Sequence, residues 1–205
     1  MGMRLFFLAL RNKLHLAWIK RNKGITIGHH TSVYYKCKID YRSESFHYGG
    51  GCVIGSNCMI GRSSRGYHGG MPFYTRLLLD GKGSKIIIGD NCRINGAYIH
   101  SERYISIGSN CVIASGVNIL DSNGHQVKSF DRTIGRDVPK DIVIGNNVWI
   151  CMNATILKGT TIGDNSIIGA GSIIQGDIPA NSIASTHNKL TINSISFNNE
   201  QNEKH

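Results

Sequence analysis

The sequence predicts an all-β domain, a parallel β-helix whose strands come from six-residue repeats, and three observations carry that reading. Ile144, Ile150, Ile156, Ile162, Ile168 and Ile174 recur every six residues without a break. A small residue often stands four places after the aliphatic one, as at Cys37, Cys58, Cys92, Cys111 and Ser166. Glycine frequently follows the aliphatic position directly, as at Gly28, Gly55, Gly89, Gly108, Gly145, Gly163 and Gly169. An α-helix would scatter a period of six around its surface. Three short strands separated by sharp turns instead form a triangular coil of about 18 residues, and coils stack at about 4.8 Å. Aliphatic residues then fill a narrow prism, while glycine or asparagine permits unusual dihedrals at its corners.

Taken in order, residues 1–24 form a basic amphipathic segment in which Arg4, Arg11, Lys13, Lys20, Arg21 and Lys23 surround Leu14, Leu16, Trp18 and Ile19. Its apolar run Leu5 to Leu10 is far shorter than the roughly 20 residues that span a bilayer. A helix docked on its own domain or on a neighbouring subunit is the first expectation, and peripheral membrane contact is the second. A removable targeting segment is the third, although no A-x-A-like cleavage site follows the run.

Residues 25–180 carry the repeat, with earlier blocks at Ile27, Val33 and Ile39; Ile54 and Ile60; Ile88 and Ile94; and Ile107, Ile113 and Ile119. Phase breaks mark excursions from the prism. Ile60 to Ile88 is 28 residues, four beyond a multiple of six, which places one inserted loop near 62–85. One-residue slips separate Ile94 from Ile107 and Ile119 from Ile144, and the second of these places another loop near 120–141. Such loops are where scaffolds of this kind put function. Gln175 to Pro179 breaks the pattern, because proline cannot donate to a central ladder. Residues 181–205 are therefore expected to be a cap and a polar tail.

With 23 cationic against 13 anionic residues, the formal charge of +10 favours anionic partners. The basic residues are dispersed and no recognition motif organises them, so no nucleic-acid partner is expected. None of the six cysteines forms a CxxC pair, which argues against a zinc ribbon, and no metal is expected. Five of the six, Cys52 included, fit the small repeat position and read as core residues in a reducing compartment. A GxxxxGK[ST] loop is absent, which removes a P-loop enzyme from consideration.

The segment Asp121-Ser122-Asn123-Gly124-His125 lies where the chain leaves the repeat. An imidazole there can take a proton from a hydroxyl, and Asp121 or a backbone carbonyl is a candidate to fix its tautomer. A second cluster, Arg62, Arg65, Tyr67, His68, Phe73, Tyr74 and Arg76, combines aromatic and cationic groups suited to a charged sugar. Its alternative is an intersubunit or solvent loop.

The runs IGSNCVIASGVNILDSNGHQV, IVIGNNVWI and ILKGTTIGDNSIIGAGSIIQGDIPANSIA resemble the bacterial hexapeptide-repeat acyltransferases. The likeness is to the maltose/galactoside O-acetyltransferase branch and to exopolysaccharide acetyltransferases, over most of residues 85–185. It implies a left-handed parallel β-helix, against the general right-handed preference of parallel crossovers. It further implies acetyl-CoA as cosubstrate, and a homotrimer with cofactor sites between subunits. His125 matches the general base, Asn95 and Glu102 the acceptor-holding positions, and Ser115 a donor to the developing oxyanion. Met152 and Ala170 would flank the pantetheine arm, Trp149 would frame the groove, and Lys158 and Lys189 would meet nucleotide phosphates. Two departures from the family stand out: Cys151-Met152 is bulkier than its usual glycine and small residue, and Thr186 to Leu190 replaces its usual final turn. The implied function is acetyl transfer from acetyl-CoA to a hydroxyl of a sugar or polysaccharide precursor, in the cytoplasm or at the inner face of its membrane. N-acetylation of an amino or nucleotide sugar is the alternative within the class, and a non-catalytic β-helix for binding or assembly is the alternative outside it.

Overall fold

The computed structural model describes residues 2–61, 72–126, 128, 130–131 and 133–186. Three parallel sheets wrap one core as a left-handed β-helix. Sheet A contains β1 (Ile25–Ile27), β4 (Gly51–Ile54), β7 (Lys85–Ile88), β10 (Tyr104–Ile107), β13 (Ile142–Ile144), β16 (Thr161–Ile162) and β19 (Asp177–Ile178). Sheet B contains β2 (Ser32–Val33), β5 (Met59–Ile60), β8 (Arg93–Ile94), β11 (Val112–Ile113), β14 (Trp149–Ile150), β17 (Ile167–Ile168) and β20 (Ile183–Ala184). Sheet C contains β3 (Lys38–Tyr41), β6 (Arg76–Leu79), β9 (Tyr98–Ser101), β12 (Asn118–Leu120), β15 (Thr155–Leu157) and β18 (Ile173–Ile174). The chain visits A, B and C in turn, so the prism has three edges: A to B, B to C and C to A.

The six-residue period is the consequence of this path. In sheet B, Val33, Ile60, Ile94, Ile113, Ile150 and Ile168 stand in direct register and are all buried. Each such side chain contributes roughly 1.5–3 kcal/mol by leaving water. A column of them makes register slippage unfavourable, because a one-residue slip would turn every isoleucine outward.

The A-to-B edge separates two roles that the sequence pattern had merged. Asn57, Asn91, Asn110, Asn147, Asn165 and Asn181 occupy the left-handed region in successive coils, with φ between 54° and 62°. Asparagine tolerates that region better than other side chains with a Cβ. Stacking adds amide bonds: Asn147 Nδ2 donates to Asn165 Oδ1 at 3.0 Å, and Asn165 Nδ2 to Asn181 Oδ1 at 3.1 Å. The repeat glycines two places earlier do not have positive φ. Gly108 is glycine because a Cβ there would lie 2.6 Å from the Gly145 carbonyl carbon of the next coil. Asparagine supplies the dihedral, and glycine supplies the close approach.

The cysteines divide as well. Cys58, Cys92 and Cys111 form one column, with the Cys92 N–H donating to Cys58 Sγ and the Cys111 N–H to Cys92 Sγ, both at 3.4 Å. Cys52 instead lies inside strand β4, and Cys37 lies at the B-to-C edge. All six are free thiols, and all but Cys151 are buried.

The first insertion is shorter than the phase break implies. Residues 76–79, expected within a loop, form β6, with Leu77 and Leu79 fully buried in sheet C. Residues 80–84 form an ordinary C-to-A turn. Beyond Gly176 the coil continues, since β19 and β20 extend sheets A and B, and Pro179 lies in the turn after β19. At the other end, helix α1 (Gly2–Ile19) packs on the first coil beside β2.

Candidate active site

Asn95, Ser115, Met152 and Ala170 fall on the B-to-C edge in four successive coils. Backbone bonds tie these turns together: Gly116 N–H to Gly96 O at 2.8 Å, Asn153 N–H to Ser115 O at 3.0 Å, and Gly171 N–H to Met152 O at 2.9 Å. Ser115 is buried, Met152 half-buried and Ala170 exposed. Trp149 lies on the outward face of β14, 49% exposed, in register with Val112 and Ile167. Asn95 is half-buried, yet its Oδ1 is inaccessible and has no hydrogen-bond partner. A buried amide oxygen left unpaired costs about 1–3 kcal/mol, which marks Asn95 as a place where structure yields to something other than stability.

The C-to-A edge carries the second group. Asp121 is fully buried at the foot of the 121–141 loop. Its Oδ1 accepts the Glu102 N–H at 2.7 Å. Its Oδ2 accepts the Arg103 N–H at 2.8 Å, the Tyr104 N–H at 2.9 Å and the Ser101 hydroxyl at 2.9 Å. Asp121 thus serves as the acceptor that closes the preceding turn. His125, four residues further on, is exposed.

Two further contacts hold this loop to the prism. Arg136 Nη1 donates to Glu102 Oε1 at 2.9 Å and to Asp80 Oδ2 at 3.0 Å. Asp137 accepts the Asn123 N–H at 3.1 Å and pairs with Lys158, whose Nζ also donates to the Val138 carbonyl at 3.2 Å. The Lys158 ammonium holds the Asp137 carboxyl below its ordinary range. Lys158, expected to meet a phosphate, thus directs its charge to the loop. Glu102 is a buried, Arg136-paired carboxylate and not a solvated loop charge.

Sequence reasoning missed Asp80, His100, Arg42 and Arg136. His100 Nε2 lies 3.2 Å from Asp80 Oδ2, and Arg42 pairs with the other Asp80 oxygen. The ligand atoms of Asp80, His100 and Glu102 lie within 4.8 Å of one another. Arg42 and Arg136 already bring positive charge to the two carboxylates, so the group reads as a salt-bridged anchor for the loop. A usable signal existed, because Asp80 and Glu102 each follow a sheet C strand directly, at matching positions in adjacent coils. Of the aromatic and basic cluster, Arg62, Arg65, Tyr67 and His68 lie outside the described residues, as does Lys189. Arg76 pairs with Asp40 at 2.6 Å, and Tyr74 accepts from Lys36 Nζ at 3.2 Å.

Residues 141–176 match the model described as bacterial transferase hexapeptide (six repeats), and residues 85–120 match the hexapeptide repeat of succinyl-transferase. Both matches are to hexapeptide-repeat models, and together they take in about a third of the chain. A galactoside O-acetyltransferase of Escherichia coli (strain K12) is 46% identical over 103 residues, which is 50% of each chain. A galactoside O-acetyltransferase of Lactococcus lactis subsp. lactis (strain IL1403) is 32% identical over 131 residues, 64% of this chain and 57% of that one. The chain therefore spans only about half the length of the curated relatives it matches. Among solved structures, a mutant of AntD, an N-acyltransferase from Bacillus cereus in complex with dTDP and Coenzyme A, has a TM-score of 0.60 at 16% identity. That match covers 82% of each chain and speaks for the fold.

Proposed function

We propose that this hexapeptide-repeat transferase moves an acetyl group from acetyl-CoA to a hydroxyl of a sugar or glycan precursor, with His125 as general base. The observation that carries the reading is an exposed imidazole on a loop whose root, Asp121, is fixed by four hydrogen bonds. The relatives named galactoside O-acetyltransferase support the choice of a sugar hydroxyl. A neutral imidazole nitrogen takes the hydroxyl proton as the oxygen attacks the thioester carbonyl carbon. The C–S bond then breaks, and the imidazolium returns the proton to the leaving thiolate. Ser115 or its backbone N–H would stabilise the oxyanion, Met152 and Ala170 would flank the pantetheine arm, and Trp149 would wall the groove. Asn95 would help to hold the acceptor. Replacing His125 with Ala should lower acetyl transfer 10²–10⁴-fold with fold and oligomer unchanged, the usual range for a general base. Full activity in that variant, measured as CoA release with mass detection of the product, would remove the assignment.

The chain reads as a homotrimer with shared sites. Asn95 and its neighbours lie on the B-to-C edge, whereas the His125 loop leaves from the C-to-A edge, so a second copy must bring one edge to the other. Complementation tests this directly. Mixed oligomers of the inactive Asn95→Ala and His125→Ala variants should regain part of the activity, because some sites then receive both native residues. No recovery after verified subunit exchange would overturn the shared site. Free buried thiols and the need for acetyl-CoA favour the cytoplasm as the working compartment.

A further inference from the structure

Helix α1 presents two apolar faces, and the protomer uses one. On the docked side the Tyr35 N–H donates to Asn12 Oδ1 at 3.0 Å, and His15 Nε2 stands 3.0 Å from the Cys37 carbonyl oxygen. Ile19 is buried in the core and Leu16 packs against it. On the other side Phe6 is 64% exposed, Phe7 56%, Leu10 42%, Leu14 63% and Trp18 68%. At 3.6 residues per turn the centres of the two faces are roughly 160° apart. The outward strip is therefore not spare surface at the margin of the docking contact. Five large apolar side chains on one stripe mark a place of interaction.

Charge identifies the partner. No Asp or Glu occurs before Asp40, while eight Lys and Arg residues do. Lys13 and Lys20 border the apolar stripe on one side and Arg11 on the other, all of them exposed. Against a second copy of α1 these cations would meet their own kind. Against lipid phosphates they would be neutralised while the stripe enters the headgroup boundary. No helix among the described residues is long and apolar enough to cross a membrane, so the geometry is that of a helix lying in the interface.

We infer that α1 seats this protein on an anionic lipid bilayer through Phe6, Phe7, Leu10, Leu14 and Trp18. The docked face holds the helix to the prism while the outward face enters the lipid. Such seating is independent of the transfer chemistry and would hold in the His125→Ala variant.

The test is co-sedimentation of the full chain with vesicles of phosphatidylcholine alone or mixed with phosphatidylglycerol, at low and high salt. Binding is expected on the mixed vesicles, at least tenfold weaker on the neutral ones, and weakened by salt. The double variant Phe7→Glu, Leu14→Glu should lose more than tenfold in partitioning, with circular dichroism and thermal midpoint unchanged, since neither side chain touches the docked face. Failure of the full chain to pellet with anionic vesicles at low salt would overturn the inference. So would a double variant that binds within twofold of the parent. If the parent stays in solution and the double variant instead loses mass by light scattering, the stripe joins copies of the chain and the lipid assignment is wrong.

Discussion

Substitution of Asp121 separates the value of its charge from the value of its shape. The native carboxylate satisfies three backbone N–H groups and one hydroxyl, at 2.7–2.9 Å, in a fully buried site. In Asp121→Ala the Ser101 hydroxyl keeps its bond to the Lys85 carbonyl at 3.1 Å, but the Glu102, Arg103 and Tyr104 N–H groups lose their acceptor. At about 1–3 kcal/mol for each orphaned donor the sum is roughly 3–9 kcal/mol, and water entering the vacated space draws it to about 3–5. In Asp121→Asn an amide oxygen at the Oδ2 position keeps three of the bonds and turns its NH₂ toward the Glu102 N–H. That leaves the Glu102 N–H and the new NH₂ facing each other without acceptors, at about 1–3 kcal/mol for each group. Urea unfolding followed by circular dichroism, at matched protein concentration because oligomers gain stability from mass action, measures both. An alanine variant within about 1 kcal/mol of the parent would refute this account of the turn.

Lys158→Met should raise proteolytic cleavage within 121–141 and lower acetyl transfer about tenfold with little change in the melting of the prism. Since the Asp137 carboxyl is held below its ordinary range, the Asp137–Lys158 pair should persist as pH falls through about 4 and fail below that, readable as acid-induced protease sensitivity. His100→Ala should loosen the Asp80 anchor yet leave most of the transfer activity; loss as complete as in His125→Ala would move the base to His100. Thiol reagents should label the native protein at Cys151 at most, and all six cysteines after unfolding. Burial pushes the Cys52 thiol up to about 12, so folding holds a proton that the unfolded chain releases near pH 9. Stability from this group is complete below that pH and falls as pH rises toward 12, by roughly 4 kcal/mol, visible as a declining urea midpoint. Gly108→Ala should destabilise the protein by about 1–3 kcal/mol, through contact between coils and not through dihedral strain.

The coil was legible because its cause is local and repeated. Ile144 to Ile174 recur at six because each strand hands one side chain inward before the next turn. Leu77 and Leu79 fill the same role in sheet C, but as leucines after an insertion they stand outside the isoleucine series. Ser115, Met152 and Ala170 lie on the B-to-C edge because each stands two places after the sheet B isoleucine of its coil, and Asn95 stands one place after Ile94 on the same edge. The Lys158–Asp137 pair could not be read from sequence, since Asp137 lies across a loop whose path the repeat does not encode. The same holds for Arg136, whose two carboxylates come from coils 34 and 56 residues away. Periodicity specifies contacts between coils; it is silent about excursions that fold back.

The excursion from 121 to 141 is shut at its base, where the Lys140 N–H donates to the Asp121 carbonyl at 2.9 Å, and β12 and β13 resume their places on either side. The described residues inside that closure join no sheet. Under the proposed function, side chains of the acceptor-facing segment can be exchanged, or the segment lengthened, without disturbing a strand pair of the prism that would hold the donor.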